Sequence, residues 1–293
     1  MKKKLILLSI CTFIFTMYSS ENSQLKMHTN VSVYSVQNKR NHQEDFFYHG
    51  IVDGGKLYAI YDGHGGTFAA GFLQRNFPTY FLAASGDTMR KKMKATCQKL
   101  EEDLITYLQT KERVEDQSKY GSCGSTLVAT FVKDGLAYFM HVGDSRAVLE
   151  SEGKVVFATA DHKVGNKDEF QRIKELKADG FIHLYANGAR IGGLAISRAF
   201  GDYTLKNKLK NECKGPVIIA EPDYMAQHLT KQNKFLVLAS DGLWDTLTNE
   251  KVIQILNDKK DDDIDSITQL LATTAIEKGS TDNITVMLVD LLS

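Results

Sequence analysis

Apolar, strand-like runs in this chain repeatedly stop at an acid. Residues 56–60 lead into Tyr61-Asp62-Gly63-His64-Gly65-Gly66, residues 136–142 into Gly143-Asp144, and residues 235–240 into Asp241. Asp282 stands just before the run 284–289, and Glu44-Asp45 precede Phe46-Phe47-Tyr48. Runs of this length and apolar content read as strands. A single carboxylate at a strand end commonly just solvates a turn. Several of them, each close to a Gly or Asn and each flanking a buried run, constrain the fold much more. If the strands are neighbours in one core, their ends converge and the oxygens form a site for a hard cation. A ligand set of oxygens without Cys or paired His favours magnesium or manganese over zinc or copper.

Residues 61–66 are the densest case, with a carboxylate, an imidazole and three glycines in six positions. Alone, this is either a Gly-rich turn with a surface His or a place where glycines admit a ligand to the backbone. Helical spacing follows over 67–83 and 87–112, the second carrying Met93, Cys97, Leu100, Leu104 and Leu108 at intervals of three and four. Both helices should lie over a sheet. Residues 125–132, 136–142 and 146–149 read as three strands, and the short turns at Asp134-Gly135 and Gly143-Asp144 predict that all three pair antiparallel. The stretch 161–190 is more polar, with one helix around 169–178, and reads as a surface excursion. Two more helices are expected over 249–257 and 264–278. With no repeat, no linker and only 3 prolines, one domain is expected over residues 28–293.

The totals exclude some functions. Lys+Arg and Asp+Glu both number 36, so nothing global points to nucleic acid or to an acidic partner. Cys11, Cys97, Cys123 and Cys213 form no metal-type pair and suggest no disulfide framework. Gly50-Ile51-Val52-Asp53-Gly54-Gly55-Lys56 nearly fits a phosphate-binding loop, but Leu57 stands where Ser or Thr is needed and a strand follows, so no nucleotide is expected. Asp261-Asp262-Asp263 reads as a helix N-terminus, with calcium as the alternative. Lys206, Lys208, Lys210 and Lys214 read as a solvated loop.

Residues 1–27 resemble a leader. Lys2-Lys3-Lys4 precede an uncharged, mostly apolar run over 5–18, within the roughly 7–15 residues of a signal core and short of the roughly 20 of a spanning helix. A cleaved signal, an uncleaved anchor and a start at Met27 all fit. Export or membrane tethering is expected if residues 1–20 act as a signal, and a cytoplasmic location otherwise. Asn30-Val31-Ser32 and Asn283-Ile284-Thr285 match the glycosylation pattern, although a glycan on the second would obstruct the carboxylates.

Several motifs occur in one order: Arg40-x-x-x-Glu44-Asp45, Asp62-Gly63-His64-Gly65-Gly66, Gly124-Ser125-Thr126, Val142-Gly143-Asp144-Ser145-Arg146-Ala147 and Asp161-His162-Lys163. Ser197-Arg198-Ala199-Phe200-Gly201-Asp202, Glu221-Pro222-Asp223, Ser240-Asp241-Gly242-Leu243-Trp244-Asp245 and Asp282-Asn283-Ile284-Thr285 complete the series. From about 33 to 291 the chain resembles a metal-dependent serine/threonine phosphatase of the PP2C (PPM) family. The resemblance implies an α+β fold, a four-layer αββα sandwich of two antiparallel sheets flanked by helices, with a flap at about 164–190. It implies phosphorylated proteins as partners, a monomer, and two Mg2+ or Mn2+ ions with room for a third. Asp62 matches the carboxylate bridging the two ions, and Gly63 the residue whose carbonyl binds one of them. Asp241 and Asp282 match ligands of the other ion, Glu44 and Asp45 acids that hold ion-bound waters, and Asp144 an acid of the third site. Arg40 matches the phosphate-gripping guanidinium and His64 the general acid. The implied reaction is direct attack of a metal-bridging water or hydroxide on phosphoserine or phosphothreonine; no Cys-x5-Arg signature suggests a covalent route.

Other members of these motifs read as structural: Arg198 and Asp202 as braces, His162 as a fold residue and Trp244 as core, while Asp245 is either a support for the site or a turn cap. The chain departs from the family pattern at Asn38-Lys39, Gln43 and Val164, and is one residue short near 190–194, which bears on the flap more than on the chemistry. The alternative is a catalytically inactive relative acting as a scaffold. Such proteins usually lose metal ligands, and here Asp62, Asp241 and Asp282 are present.

Overall fold

The computed structural model of the protein describes residues 31–115, 118–186 and 188–292; the leader expected over 1–27 lies outside them. In chain order the strands are β1 (Val31–Val36), β2 (Asp45–Val52), β3 (Gly55–His64), β4 (Gly124–Ser125), β5 (Leu127–Lys133), β6 (Leu136–Val142) and β7 (Arg146–Ser151). They continue with β8 (Lys154–Ala158), β9 (Ile182–Tyr185), β10 (Gly188–Ile191), β11 (Phe200–Gly201), β12 (Asp223–His228), β13 (Phe235–Ala239) and β14 (Ile284–Asp290). The helices are α1 (Phe68–Ala83), α2 (Met89–Glu115), α3 (Lys167–Glu175), α4 (Tyr203–Glu212), α5 (Asp241–Trp244), α6 (Asn249–Asp258) and α7 (Ile264–Glu277).

Period-two alternation sorts the strand residues into layers. In β3, Tyr58 and Ile60 enter one core with Val128, Phe139, Leu149, Leu238 and Met287, while Leu57, Ala59 and Tyr61 enter another with residues of α1 and α2. The first core lies between two antiparallel sheets, one ordered β1-β14-β13-β7-β8 and the other β11-β4-β3-β5-β6-β12, with β2 also on β3. β13 and β14 divide likewise: Leu236, Leu238, Met287 and Val289 face the inter-sheet core, and Val237, Val286 and Leu288 pack with α5, α6 and α7. Central strands buried on both faces read as continuous apolar runs for this reason. The four expected layers, helix, sheet, sheet and helix, are present. Among the described residues no helix is long and apolar enough to cross a membrane.

Three local readings change, and two others hold. β5 and β6 pair as expected, but β7 leaves them for the other sheet, where it pairs with β13 and β8. Gly143, at φ 103°, turns the chain between sheets, and a side chain there would press into Thr126 at 2.6 Å. The stretch 161–190 has an interior of its own: Val164, Ile173, Ala178 and Ile191 pack with Ile196, Leu209, Val217 and Ile218, beneath α3 and the β9–β10 hairpin. Lys206, Lys208 and Lys210 of the lysine run lie on helix α4, and Lys206 pairs with Glu101 of α2. The near phosphate-binding loop is the β2–β3 hairpin, turning at Asp53-Gly54 with φ 52° and 72°. Asp263 caps α7 by accepting from Ser266 N at 2.9 Å, which accounts for the acidic triplet.

Candidate active site

Antiparallel pairing puts the acid-bearing strand ends on one edge of the sandwich. Asp45 opens β2 directly opposite Asp62 of β3, Asp241 follows β13 and opens α5, Asp282 precedes β14, and Asp144 lies in the link from β6 to β7. One oxygen each from Asp62, Asp144 and Asp241 lie within 4.8 Å of one another. These three line a cleft of about 850 Å³ with Arg40, Glu44, Gly63, His64 and Asp282. Of the nine residues expected to hold metal or to act on substrate, Asp45 alone does not line the cleft. It is 6% exposed; its Oδ2 accepts from Ser240 Oγ at 2.8 Å, and its Oδ1 has no hydrogen-bond partner.

These acids resist ionisation in each other's company. Two unit charges 4.8 Å apart repel by about 3 kcal/mol at an effective dielectric of about 20. Burial, then the charges of Asp45, Asp241, Asp144 and Asp282, hold Asp62 well above the usual carboxylate range; burial, then Asp144, Asp245 and Asp282, do the same to Asp241. Burial lifts Asp45 to about 6 against hydrogen bonds from Thr285 and Ser240. Burial lifts Asp144 to about 6 as well, against the attraction of Lys163. A partly buried set of repelling oxygens, with an unpartnered oxygen of Asp45 beside it, suits hard divalent cations.

A second cluster has different chemistry. His141, His162 and Asp223 also bring ligand atoms within 4.8 Å, but Gly143 N donates to His162 Nδ1 at 3.1 Å. The other nitrogen of that ring therefore keeps its proton, and it lies 3.2 Å from Asp223 Oδ2 while Arg198 holds Oδ1. This is a brace, as expected for His162 and Arg198.

Backbone and neighbouring side chains set the remaining groups. Gly63 N donates to Glu44 O at 3.2 Å, and a Cβ on Gly63 would come within 2.5 Å of that oxygen, so only glycine lets the start of β2 lie this close. Thr126 Oγ1 accepts from Asp62 N at 3.2 Å and bonds Ser145 Oγ at 2.7 Å. Arg40 is half-exposed and pairs with Asp282 Oδ2 at 2.5 Å. Lys163 reaches Asp245 at 2.6 Å and Asp144 at 3.8 Å, so Asp245 supports the site's flank. At His64 burial works against charge, but Asp202, 2.8 Å from Nε2, then Asp144 and Glu44, raise the imidazole above its ordinary value.

Two contributors were not evident from residue order. Asn283 looked like a glycan acceptor, yet it is 6% exposed: its amide donates to Gln37 O and His42 O, and its Oδ1 accepts from Glu44 N at 2.9 Å. It clamps the loop that carries Arg40 and Glu44. Asp202, read as a brace, holds one residue in particular, His64. The signal for Asn283 was its place beside Asp282; that for Asp202 was its place in the motif 197–202, which gave no sign of a partner 138 positions away.

The family model described as Protein phosphatase 2C matches residues 24–284. The chain belongs to the protein phosphatase 2C family. It is 33% identical over 280 residues to "Protein phosphatase 1L" of Bos taurus, covering 92% of this chain and 74% of that protein. It is 33% identical over 262 residues to "Probable protein phosphatase 2C member 13, mitochondrial" of Oryza sativa subsp. japonica, covering 87% of this chain and 66% of that one. Among solved structures, the serine-threonine phosphatase 2C of Toxoplasma gondii superposes with a TM-score of 0.70 over 89% of this chain and 94% of its own, at 21% identity, which shows the shared fold. As a member of the protein phosphatase 2C family the chain is a protein phosphatase by kinship.

Proposed function

We propose that the chain is a divalent-metal-dependent phosphatase acting on phosphoserine and phosphothreonine of proteins. The observation that carries this reading is the convergence of Asp62, Asp144 and Asp241 in one cleft with Arg40 and His64. A phosphate monoester dianion hydrolyses very slowly unaided, so a catalyst must offset its charge, supply a nucleophile and protonate the leaving alkoxide. Bound Mg2+ or Mn2+ would offset charge and bring the pKa of a water towards neutrality. Asp62, Gly63, Asp241 and Asp282 would hold the two ions, Glu44 and Asp45 would accept from waters around them, and Asp144 would serve a third.

The chain's own groups do the rest. Arg40 projects half-exposed from the clamped loop, and its planar fork can grip two phosphate oxygens. His64 stands at the end of β3 with its charged form favoured by Asp202, ready to protonate the serine or threonine oxygen. A cysteine nucleophile is disfavoured: burial pushes the Cys97 thiol up strongly and, with the charges of Asp202 and Glu44, raises Cys123 to about 11. Cys123 Sγ instead donates to Gly65 O at 2.8 Å.

The test is release of phosphate from a phosphothreonine peptide with and without Mn2+. Activity is expected to require the ion and to fall by about two orders of magnitude or more in Asp62→Asn or Asp241→Asn. Equal turnover in excess chelator would overturn the reading.

A further inference from the structure

Asp202 occupies the residue before α4, where an aspartate ordinarily accepts from the first backbone amides of its helix. It makes no such bond. Its two carboxylate oxygens lie 2.8 and 3.0 Å from Nε2 of His64, on a side chain 4% exposed. Its backbone is left-handed, at φ 50°, a conformation that is strained for a non-glycine residue. Asp202 N donates to Cys123 O at 2.9 Å, which fixes the residue against β4. Gly124 of β4 completes the arrangement, since a Cβ there would overlap both Asp202 Oδ2 and His64 Nε2. A forgone helix cap, a strained backbone and a position closed to side chains all serve this one contact, and a general brace needs none of them.

We propose that Asp202 is the positioning residue of His64, fixing the ring through Nε2–H so that Nδ1 delivers the proton to the leaving oxygen. This rests on the general-acid reading of His64 given above. Nδ1 makes no hydrogen bond within the described residues, and the ring lines the cleft. As the phosphorus–oxygen bond breaks, the electron pair left on the serine or threonine oxygen takes the Nδ1 proton. The N–H bonding pair stays on Nδ1, and Nε2–H remains donated to Asp202. The neutral ring is thus left in the tautomer that Asp202 already holds.

The experiment compares a phosphothreonine peptide, whose leaving oxygen needs a proton, with para-nitrophenyl phosphate, whose leaving group needs little help. His64→Gln, Asp202→Ala, Asp202→Asn and His64→Gln/Asp202→Ala are assayed in saturating Mn2+. Asp202→Ala is expected to lower kcat on the peptide by about 10–100-fold, with a much smaller loss on the aryl ester and little change in KM. The double variant should be no slower than His64→Gln, because both changes remove one function. Asp202→Asn retains an acceptor oxygen and should recover part of the loss. Equal losses on both substrates for Asp202→Ala, or losses that multiply in the double variant while His64→Gln keeps its substrate split, overturn the positioning role. If His64→Gln itself lacks the split, the general-acid reading fails first. Should Asp202→Ala not fold, Asp202→Asn carries the same comparisons, and nitrogen NMR of the wild-type ring decides separately: a proton on Nε2 in the neutral form is expected, and one on Nδ1 overturns the proposal.

Discussion

At the scale of single residues, the acids of the cleft trade stability for chemistry. Replacing Asp241 with Asn removes one charge from a set that repels, so the ion-free protein should gain stability. A gain of 1 kcal/mol would raise Tm by about 2–4 °C in a domain near this size. The same change should abolish most of the further rise produced by Mn2+; calorimetry with and without the ion reads both. The pH dependence has a definite sign. Asp45 and Asp144 bind protons more tightly in the folded protein, at about 6, than in the unfolded chain. Their contribution to stability is therefore complete below the ordinary carboxylate range and is lost as pH rises through about 6. In chelator, Tm should fall as pH rises from about 4 to about 6.5, and saturating Mn2+ should remove most of the fall. A rise over that interval would show that the acids are not crowded as described.

Among elements, the stretch 161–190 is fastened through Glu169 of α3. Burial alone would raise this carboxyl, but hydrogen bonds from Arg198, Arg172 and Ser197 hold it down to about 2. The stability it confers is complete above about pH 4.5 and disappears as pH falls through about 2, a window below that of the cleft acids. Glu169→Gln leaves two guanidinium groups underpaired and should cost about 3 kcal/mol. Limited proteolysis near 185–190 should accelerate in this variant, while ion-dependent stabilisation survives. Little of this region was legible in the sequence: Val164, Ile173, Ala178, Ile191, Leu209 and Val217 are scattered among polar residues, so their common core has no period to betray it. β3, β13 and β14 were legible because burial on both faces makes an apolar run. The departure of β7 was not, because a strand alternates with the same period in a hairpin and in a crossing between sheets. α4 was missed because its lysines masked the buried Tyr203 and Leu209.

For the whole molecule, most of the candidate site could be read from the chain because its acids adjoin strands, and strand ends are what a sandwich brings together. Asp62 and Asp45 come from one sheet, Asp241 and Asp282 flank strands of the other, and Asp144 sits in the crossing between them. The contact of His64 with Asp202 needed the folded chain, since an approach of β3 to the start of α4 follows from no local pattern. The split origin of the acids has a mechanical result. Without cations, their mutual repulsion acts as a wedge driven into one end of the sandwich. Cations bound as proposed would make the same oxygens a rivet through both sheets. Hydrogen exchange should therefore slow on ion binding at the ends of β3 and β13 nearest the cleft, with little change at the β5–β6 turn; uniform slowing throughout would deny that localisation. A sandwich riveted at one end can still breathe at the other, so occupancy of the cleft would set how far the two halves of the protein move as one body.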